Sequence, residues 1–536
     1  MKGQKNILPP EVKNNLNTIF GKSFRPRRII DNPSDKDLRD WALQYGGIIT
    51  EFGNISVVTR VRNRMAKLTE VIIDRPGNDD FKLEASSSKE LTNALRPMNQ
   101  EDLKLVENIL DYLKGKDMIM LDRTMCMTKG FKKSCRLYVT SEYPRLPLMW
   151  GNTLFPADGR EPDFISLAIP EWEEKKVLVF PDMGLTIVLG SDYKGEQKKA
   201  MLRQVMYWAK REGNLGLHAA SKILRISQNN QLKDFGFLLF GLSATGKTTL
   251  SCHSHWLRFP ERVFIRQDDV VILKRDGTAI GTEDSYYIKT ESLEAGSQPL
   301  LYAAVLSPRA ILENIAVNPE TGKVDFFDST LTSNGRAMVK RSDIAFTDEK
   351  IDLGKVDFIL FITRRNDIQP PVVRLNQEWA AAAFMLGESV ESSAGDPQEA
   401  GKALRVVGTN PFIVGSHADE GNMFLKILQD NPGIQCFILN TGYIGGIIRG
   451  QKITVKDSVR IIEMIARNAI TWQRDNFWGY DVPQSIMGVE LERFDPGSYY
   501  SDEQIEQLSI ELKNERLDWL SQFPSLNPEI IQALQG

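Results

Sequence analysis

The chain has 536 residues, of which 42% are hydrophobic and 26% are charged, and its formal net charge is −3. This composition is typical of a globular protein with two or three domains, and the charge gives no indication of a nucleic-acid partner. No apolar run approaches the roughly 20 residues of a membrane span, and the N-terminal residues lack the apolar core of a signal peptide. The four cysteines are widely spaced and indicate neither a disulfide framework nor a thiolate zinc site. We therefore expect a cytoplasmic protein with no membrane partner.

The first half of the chain contains two segments with helical spacing and a set of short apolar runs. Apolar residues recur at helical spacing over 101–113 and 196–211, which predicts a helix in each segment. Between these segments lie five apolar runs that are broken by proline or glycine, at 118–121, 136–140, 146–150, 176–181 and 185–190. Short apolar runs with such boundaries predict strands.

The second half alternates strands and turns before it becomes helical. The predicted strands are 235–240, 262–273, 355–363 and 437–440, with a helix predicted at 308–315. Residues 387–402 are rich in glycine, serine and acidic side chains, which predicts a mobile loop of the kind that forms a lid. A helix over 455–468 and a helical tail are predicted to complete the chain.

The most informative motif is G-x-x-x-x-G-K-T, formed by Gly241, Gly246, Lys247 and Thr248. It directly follows the predicted strand 235–240, which is the context that a phosphate-binding P-loop requires. In such a loop, backbone N–H groups surround the phosphates, the lysine reaches the β- and γ-phosphates, and the threonine hydroxyl can bind a divalent metal. A helix that begins near Thr248 would add its positive end. The sequence therefore predicts a nucleoside triphosphate site.

An acidic pair follows the P-loop in the sequence. Asp268 and Asp269 end one apolar run and precede another, which is where a carboxylate that holds Mg²⁺ is expected downstream of a P-loop. The alternative is an exposed turn, which the apolar flanks disfavour.

Other polar residues indicate structural roles when each is taken alone. His218 lies in an apolar stretch, and His253 and His255 would diverge on a helix. On composition, Lys198 and Lys199 form a solvated basic turn.

Read together, these residues resemble the ATP-dependent phosphoenolpyruvate carboxykinase family. Residues 241–251 match the family's GLSGTGKTTLS signature except at Ala244, and residues 193–199 match its Y-x-G-E-x-K-K motif. The family's metal-binding histidine falls nineteen residues after the second lysine, where this chain has His218. The acidic pair corresponds to the family's second kinase motif. Lys289, Glu313 and the KITVKDS segment at 452–458 also correspond to family positions.

The resemblance implies a role for each matching residue. The implied catalytic residues are Lys198, Lys199, Lys247 and Arg336, and the implied substrate ligands are Arg62, Tyr193, Lys199 and Arg336. The implied metal ligands are Lys199, His218 and Asp269 for Mn²⁺, with Thr248 and Asp268 near Mg²⁺. The implied nucleotide contacts are Gly241, Leu242, Ser243, Ala244, Thr245, Gly246, Lys247, Thr248, Thr249, Lys289, Glu313, Lys452, Ile453 and Ser458.

The fold implied by the resemblance is an α/β fold of two domains with the active site between them. We expect an N-terminal substrate-binding domain over 1–214 and a C-terminal P-loop domain over 215–536. The implied reaction converts oxaloacetate and ATP into phosphoenolpyruvate, CO₂ and ADP, with Mn²⁺ and Mg²⁺ as cofactors. The oligomeric state does not follow from the sequence, although we favour a monomer.

Departures from the family pattern leave alternatives open. The family's R-S-P-K-D-K segment is matched here only by Arg62 and Lys67, so Arg60 or Arg64 could replace Arg62 as the substrate ligand. The alternative functions are a kinase of the same fold that uses another small acid or another donor, such as GTP or pyrophosphate, and a non-catalytic ATP-binding regulator.

Overall fold

The computed structural model describes residues 23–61, 68–73, 95–242, 245–291, 293–332, 335–390 and 403–535. Within these residues it is a mixed α/β structure built on two large sheets and two smaller ones. No helix among them is both long and apolar enough to span a membrane.

The first large sheet is formed by residues 28–189. Its strands, in spatial order within the described residues, are Arg28–Asp31, Asp117–Met125, Lys133–Thr140, Phe164–Ile169, Leu185–Leu189, Lys176–Phe180, Thr69–Ile73 and Leu95–Pro97, with Phe155–Pro156 paired to Asp117–Met125. The helix Gln100–Leu113 packs on one face through Val106, Ile109 and Leu110. The helix Lys194–Arg211, which we call the lysine helix, packs in the core of the other face.

The second large sheet is formed by residues 219–486. Its strands, in spatial order, are Arg262–Gln267, Ala219–Gln228, Gln231–Phe240, Phe358–Thr363, Gln435–Asn440, Val372–Leu375, Tyr480–Ile486 and Ile470–Asp475. Helices cover both faces because the strands are apolar on both: Gln377–Leu386 and His417–Asp430 pack on one face, and Pro299–Val305 and Val455–Arg467 pack on the other.

Smaller sheets connect the two. A five-stranded sheet has the order Ser285–Lys289, Arg336–Lys340, Ile311–Glu313, Ile55–Val57, Ile48–Ile49, and a three-stranded sheet has the order Leu215–Leu217, Val271–Leu273, Ala279–Gly281. Three two-stranded pairs are Ala316–Val317 with Val324–Asp325, Glu388–Val390 with Ala403–Arg405, and Tyr443–Ile444 with Gln451–Lys452. The five-stranded sheet therefore combines strands from near residue 50 with strands from near residue 300.

The remaining helices are short or lie at the ends of the described chain. They are Asp35–Gln44, Arg145–Gly151, Lys247–Ser251, Asp502–Leu520 and Pro528–Gln532, with 3₁₀ turns at Pro181–Met183, Arg341–Asp343, Val407–Thr409, Leu491–Phe494 and Pro496–Ser498.

Most of the long predicted elements are confirmed. The helix predicted at 101–113 is Gln100–Leu113, and the one predicted at 455–468 is Val455–Arg467, ended by Asn468 in a left-handed conformation. The helix predicted from 196 begins two residues earlier, at Lys194. The helical tail is confirmed as Asp502–Leu520 and Pro528–Gln532.

Two predicted elements are wrong in type. Residues 146–150 were expected to be a strand but lie in the helix Arg145–Gly151, whose residues are all buried. A fully buried segment is apolar on every side, so its sequence shows neither helical nor strand periodicity. The helix predicted at 308–315 is instead the strand Ile311–Glu313, which pairs with strands on both sides. Tertiary pairing overrides the local helical preference there.

Three regions differ from the sequence prediction or stay untested. The hairpin Ile470–Asp475 and Tyr480–Ile486 was missed, since its polar, partly exposed strands have no apolar run. Of the loop predicted at 387–402, the described part forms the strand Glu388–Val390, and residues 391–402 lie outside the described residues. The domain boundary near residue 214 stays a prediction.

Candidate active site

The P-loop lies at the carboxyl end of three adjacent parallel strands. Gln231–Phe240 runs parallel to Phe358–Thr363, which runs parallel to Gln435–Asn440. The Thr441 hydroxyl, just after the third strand, donates to the carbonyl of Thr245 in the P-loop at 2.8 Å. Ligands of open α/β sheets bind at this edge, because the loops that follow neighbouring parallel strands converge there.

The loop has the backbone conformation that its glycines permit. Gly246 has φ +97°, which a residue with a side chain rarely adopts, and it directly precedes the helix Lys247–Ser251. Thr245 closes the loop by donating its hydroxyl to the carbonyl of Leu242 at 2.8 Å. Of the predicted P-loop contacts, Gly241 and Leu242 precede the turn, while Thr248 and Thr249 lie on the helix. Ser243 and Ala244 lie outside the described residues.

Three predicted residues from different parts of the chain meet beside the P-loop. The Nε2 atom of His218 lies 2.9 Å from Oδ1 of Asp269 and 3.4 Å from Nζ of Lys247. Lys247 Nζ lies 3.9 Å from the same Asp269 oxygen. The P-loop lysine and two of the three implied Mn²⁺ ligands therefore form one cluster.

The hydrogen bond of Nδ1, the other ring nitrogen of His218, determines the tautomer of the imidazole. Nδ1 lies 2.5 Å from the carbonyl of Thr409, which can only accept, so Nδ1 holds a proton. When the imidazole is neutral, Nε2 presents a lone pair toward the Asp269 carboxylate. The lone pairs of Nε2 and of the carboxylate oxygen repel each other at this distance unless a proton or a cation lies between them. A divalent cation that bound both atoms would remove this repulsion.

Lys198 occupies the other side of the same carboxylate. Its ammonium group lies 2.9 Å from Oδ2 of Asp269 and 2.7 Å from Oε2 of Glu283. Burial alone would lower the pKa of Lys198, but the two carboxylates hold it above its usual value. Burial would raise the pKa of Asp269, yet Lys198, together with His218 in its protonated form, holds it well below its usual value. Burial raises the pKa of Glu283 despite the adjacent lysine.

Lys199 points to a different part of the cluster. Its Nζ atom lies 3.2 Å from Oε1 of Glu196 and 5.9 Å from the centre of the Phe412 ring. The His218 ring lies edge-on to the same phenylalanine, with ring centres 5.8 Å apart. Lys199 and His218 thus border one aromatic ring, while Lys198 makes the direct contact with Asp269. Among the described residues, no three histidine, cysteine, aspartate or glutamate side chains are grouped as metal ligands, and the implied set includes a lysine amine.

The neighbouring Asp268 faces the P-loop helix. Thr248 hydrogen-bonds to its carboxyl group, and the Oδ1 atom is buried without a hydrogen-bond partner in the described structure. Burial raises the pKa of Asp268, and Lys247 opposes this effect. A buried carboxylate oxygen beside a P-loop threonine is a fitting environment for a hard divalent cation.

A second group of polar residues surrounds Arg336. Arg336 hydrogen-bonds to Tyr193, and although burial would lower the pKa of Arg336, the hydroxyls of Tyr193 and Tyr287 raise it. Gly195 is required at the third position of the 193–199 motif, because a Cβ atom there would lie 2.3 Å from the Tyr193 ring. Arg336 also pairs in register with Glu313 across the five-stranded sheet. The predicted substrate residues Tyr193 and Arg336 are therefore together.

Glu313 was implied as a nucleotide contact, but its carboxylate is occupied by protein groups. It is fully buried, and it accepts hydrogen bonds from Arg145 at 3.1 Å, from the backbone of Lys194 at 3.2 Å and from the Tyr287 hydroxyl. Its nucleotide contact stays a prediction.

Only one of the three candidate arginines before residue 68 lies within the described residues. The Arg60 guanidinium stacks 4.4 Å from the centre of the Tyr143 ring and donates to the carbonyl of Glu142. Arg60 is therefore engaged at the surface, and the choice among Arg60, Arg62 and Arg64 as the substrate ligand stays a prediction. Arg62 and Arg64 lie outside the described residues.

The implied nucleotide residues beyond the P-loop have different environments. Lys289 ends a strand and pairs with Glu291 at 2.6 Å. Lys452 lies over the Tyr443 ring at 4.7 Å, and burial together with Arg364 lowers its pKa. The Ile453 and Ser458 side chains are buried, and the Ser458 hydroxyl bonds to its own helix at the carbonyl of Thr454. Any base contact at these two positions would therefore come from the backbone.

Comparison with known proteins places this geometry in a family. The profile of the phosphoenolpyruvate carboxykinase family matches residues 27–492. This chain belongs to that family. A protein of Aeropyrum pernix named phosphoenolpyruvate carboxykinase (ATP) is 34% identical over 79% of this chain and 85% of its own length. Proteins of the same name from Rhizobium leguminosarum bv. trifolii and Paracoccus denitrificans are each 25% identical over 76% of this chain, covering 77% and 78% of their own lengths.

Several buried charged residues around these two groups were not predicted from the sequence. Lys194 is fully buried, lies one helical turn before Lys198 and faces the Tyr287 ring at 4.0 Å. Burial and the charge of Lys198 lower the pKa of Lys194 to about 7. Glu283, Asp192 and Arg145 were not assigned a function, because their partners are distant in sequence. For Lys194, the spacing of four residues from Lys198 was an available signal.

Proposed function

We propose that this chain catalyses the reversible conversion of oxaloacetate and ATP into phosphoenolpyruvate, CO₂ and ADP. The observation that supports this most is the convergence of Lys198, His218, Lys247 and Asp269 in one cluster beside the P-loop. A nucleotide-binding protein without chemistry has no need for a partly buried histidine, a partly buried carboxylate and a second lysine at the phosphate end of its site. The relatives from Aeropyrum pernix and Rhizobium leguminosarum bv. trifolii match this chain over most of their own length, and both are named for this reaction.

The chemistry has two balanced steps. The bond between the β-carboxylate and its neighbouring carbon breaks, CO₂ leaves, and the electron pair remains on the enolate of pyruvate. The enolate oxygen then forms a bond to the γ-phosphorus of ATP while the bond to the ADP oxygen breaks. Positioning and charge stabilisation dominate the catalysis of such a phosphoryl transfer.

We assign one divalent ion to His218, Asp269 and Lys199, and a second to the nucleotide with Thr248 and Asp268. Mn²⁺ and Mg²⁺ are the proposed metals; when bound they stabilise negative charge on the enolate and phosphate oxygens. The donors fit because Nε2 of His218 presents a lone pair toward Asp269, and because Asp268 has an unpartnered buried oxygen in the described structure. Lys199 can bind a metal ion only as the neutral amine, because the ammonium form has no lone pair.

The side chains of the chain itself supply the remaining charge. Lys247 is the proposed partner of the γ-phosphate, and Lys198 contacts both Asp269 and Glu283. Arg336, backed by Tyr193, provides a guanidinium for a carboxylate of the acid, and guanidinium forks bind carboxylates through paired hydrogen bonds. Arg62 is the proposed second carboxylate ligand.

We propose two domains with a boundary near residue 214. An N-terminal domain over 1–214 would supply Tyr193 and the lysine helix, and a P-loop domain over 215–536 would supply the nucleotide site. The contacts of Lys198 with Asp269 and Glu283 would then cross the cleft between the domains.

The proposal is tested by incubating purified protein with oxaloacetate, Mg²⁺ and micromolar Mn²⁺, and measuring phosphoenolpyruvate with ATP, GTP or pyrophosphate as donor. We expect product with ATP. The Lys199→Ala variant should form no phosphoenolpyruvate. The control is Lys114→Ala, which removes a solvent-exposed lysine at the end of the helix Gln100–Leu113 and should leave product formation unchanged. Product with another donor alone would refute the ATP assignment. Absence of product with every donor would refute the reaction.

A further inference from the structure

Residues 493–499 pack against the segment that is implied to contact the nucleotide base. Lys452 and Ile453, two of the implied base contacts, lie in the segment 443–453, which we call the base segment. Its two strands, Tyr443–Ile444 and Gln451–Lys452, pair over only two residues each. An isolated hairpin of this kind is at best marginally stable in water, so packing against other residues has to hold it in place.

That packing comes from residues beyond 492, where the match to the family profile ends. Phe494 forms a small buried cluster with Ile444 and Ile453 of the base segment. Tyr499 packs against this cluster, and its ring covers Gly445, where a Cβ atom would lie 2.3 Å from the ring. The base segment therefore fits closely against the segment 494–499.

Arg493 fixes the other end of the base segment through Asp457. The Oδ2 atom of Asp457 accepts from the backbone N–H of Thr454 at 2.9 Å and from its hydroxyl at 2.7 Å, which caps the helix Val455–Arg467. Thr454 directly follows Ile453 in the chain. The guanidinium of Arg493 donates to Oδ1, the other oxygen of the same carboxylate. Arg493 and Thr454 are therefore joined by one buried carboxylate.

The two contacts are also linked to each other. The Tyr499 hydroxyl donates to the backbone carbonyl of Arg493 at 3.1 Å. Seven consecutive residues thus contact the base segment near Gly445 at one end and, through Asp457, just after Ile453 at the other. A binding segment that is already held in its bound conformation loses little conformational entropy when the ligand binds, so the affinity is higher.

We propose that Arg493 and Tyr499 are positioning residues that hold the base segment in the conformation that binds the adenine base of ATP. The inference rests on the proposed function, since it takes ATP as the phosphoryl donor. It assigns a role in nucleotide affinity to residues beyond the family profile match, whereas the phosphates are assigned to the P-loop.

The Arg493→Met and Tyr499→Ala variants test the proposal with two ligands that share a triphosphate, of which only ATP carries a base. Isothermal titration calorimetry measures the binding of ATP and of inorganic tripolyphosphate, each with Mg²⁺. We expect the dissociation constant for ATP to rise about three- to tenfold in each variant, because an unanchored base segment has to be ordered on binding. The dissociation constant for tripolyphosphate should change less than about twofold, because no P-loop residue is altered.

Two controls separate positioning from a general loss of stability. Arg467→Met removes the ion pairs of Arg467 with Glu261 at 2.6 Å and with Glu463 at 2.7 Å, at the C-terminal end of the helix Val455–Arg467. This variant should leave both dissociation constants unchanged. Tyr499→Phe keeps the ring and removes only the hydroxyl, so it should restore most of the ATP affinity that Tyr499→Ala loses.

Steady-state kinetics gives a second readout. In Arg493→Met and Tyr499→Ala the KM for ATP should rise, while kcat and the KM for oxaloacetate should stay within about twofold of the wild type. The two variants act on different ends of the base segment, so if one fails to fold the other still tests the proposal.

Three results would overturn the proposal: an unchanged affinity for ATP, an equal loss of affinity for ATP and tripolyphosphate, or an equal rise in the KM values for ATP and oxaloacetate. If the wild type makes no phosphoenolpyruvate while the ATP affinity of the variants falls as expected, the positioning role is retained and the proposed reaction is refuted.

Discussion

Lys198 is the residue whose removal should be most informative about the cluster, because it is buried between two carboxylates. Its ammonium group lies 2.9 Å from Asp269 and 2.7 Å from Glu283, and only 6% of its side chain is exposed. Lys198→Met would leave the buried Glu283 carboxylate and the partly buried Asp269 carboxylate without their shared cation. Breaking a buried ion pair on one side costs about 3–5 kcal/mol.

The expected loss converts into a measurable change in melting temperature. An unfolding entropy of about 2.1 cal/mol/K per residue gives a fall in Tm of about 3–4 °C for the whole chain. The measurement is thermal unfolding of the metal-free protein in a chelating buffer at pH 7.5. The fall should shrink at lower pH, because protonation of Glu283, whose pKa burial raises, removes one of the two stranded charges.

A double variant separates loss of the charge pair from loss of packing. Adding Glu283→Gln to Lys198→Met removes one stranded charge, so the double variant should be more stable than Lys198→Met alone by at least about 1 kcal/mol. Glu283→Gln alone should be mildly destabilising, since Lys198 keeps its contact with Asp269. If the two changes were simply additive, the pair would not be electrostatically coupled and the reasoning would be refuted.

Further predictions concern the metals and a buried lysine behind the P-loop. His218→Ala should abolish Mn²⁺ binding measured by electron paramagnetic resonance without nucleotide, whereas His417→Ala should not; retained binding in His218→Ala would contradict the ligand set. Thr248→Val should lower the rate with MgATP by about 10- to 100-fold, because the variant lacks the hydroxyl beside Asp268. An unchanged rate would refute the assignment of Thr248 to the Mg²⁺ site. Burial lowers the pKa of Lys222 to about 7. Between about pH 7 and pH 10 Lys222 is therefore neutral in the folded chain and protonated in the unfolded chain. Because unfolding takes up a proton in this range, the free energy of unfolding rises with pH. In urea titrations, Lys222→Met should reduce the slope of the free energy of unfolding against pH by about 1.4 kcal/mol per pH unit. The same slope in the variant and the wild type would show that Lys222 is not neutral in the folded chain.

The parts of the fold that local sequence determines were predictable. The helix Val455–Arg467 has a threonine cap, an aspartate three residues later and a regular apolar face, and each of these signals is contained within the segment itself. The glycine-containing loop between the strand Gln231–Phe240 and the helix Lys247–Ser251 was predictable for the same reason. By contrast, the strand Ile311–Glu313 is a strand because it lies between Ile55–Val57 and Arg336–Lys340, and both partners are distant in sequence.

The same distinction applies to the site. The resemblance to the family implied that His218 and Asp269 belong to one cluster, and the structure brings them within 2.9 Å of each other. Which of two adjacent lysines faces Asp269 depends on the rotation of the lysine helix, since neighbouring residues point about 100° apart. That rotation is set by packing of the helix against the first sheet, so the contact of Lys198 with Asp269 and Glu283 could not be inferred from the motif.

The most direct test of the central claim is the stoichiometry of products from one reaction of oxaloacetate with ATP. Phosphoenolpyruvate and ADP can be quantified by ³¹P NMR while CO₂ is trapped from carboxyl-labelled substrate. We predict that the three products form in equal amounts, because each decarboxylation generates the enolate that accepts one γ-phosphoryl group. Release of CO₂ with pyruvate and no ADP, or release of ADP without phosphoenolpyruvate, would contradict coupled decarboxylation and phosphoryl transfer at this site.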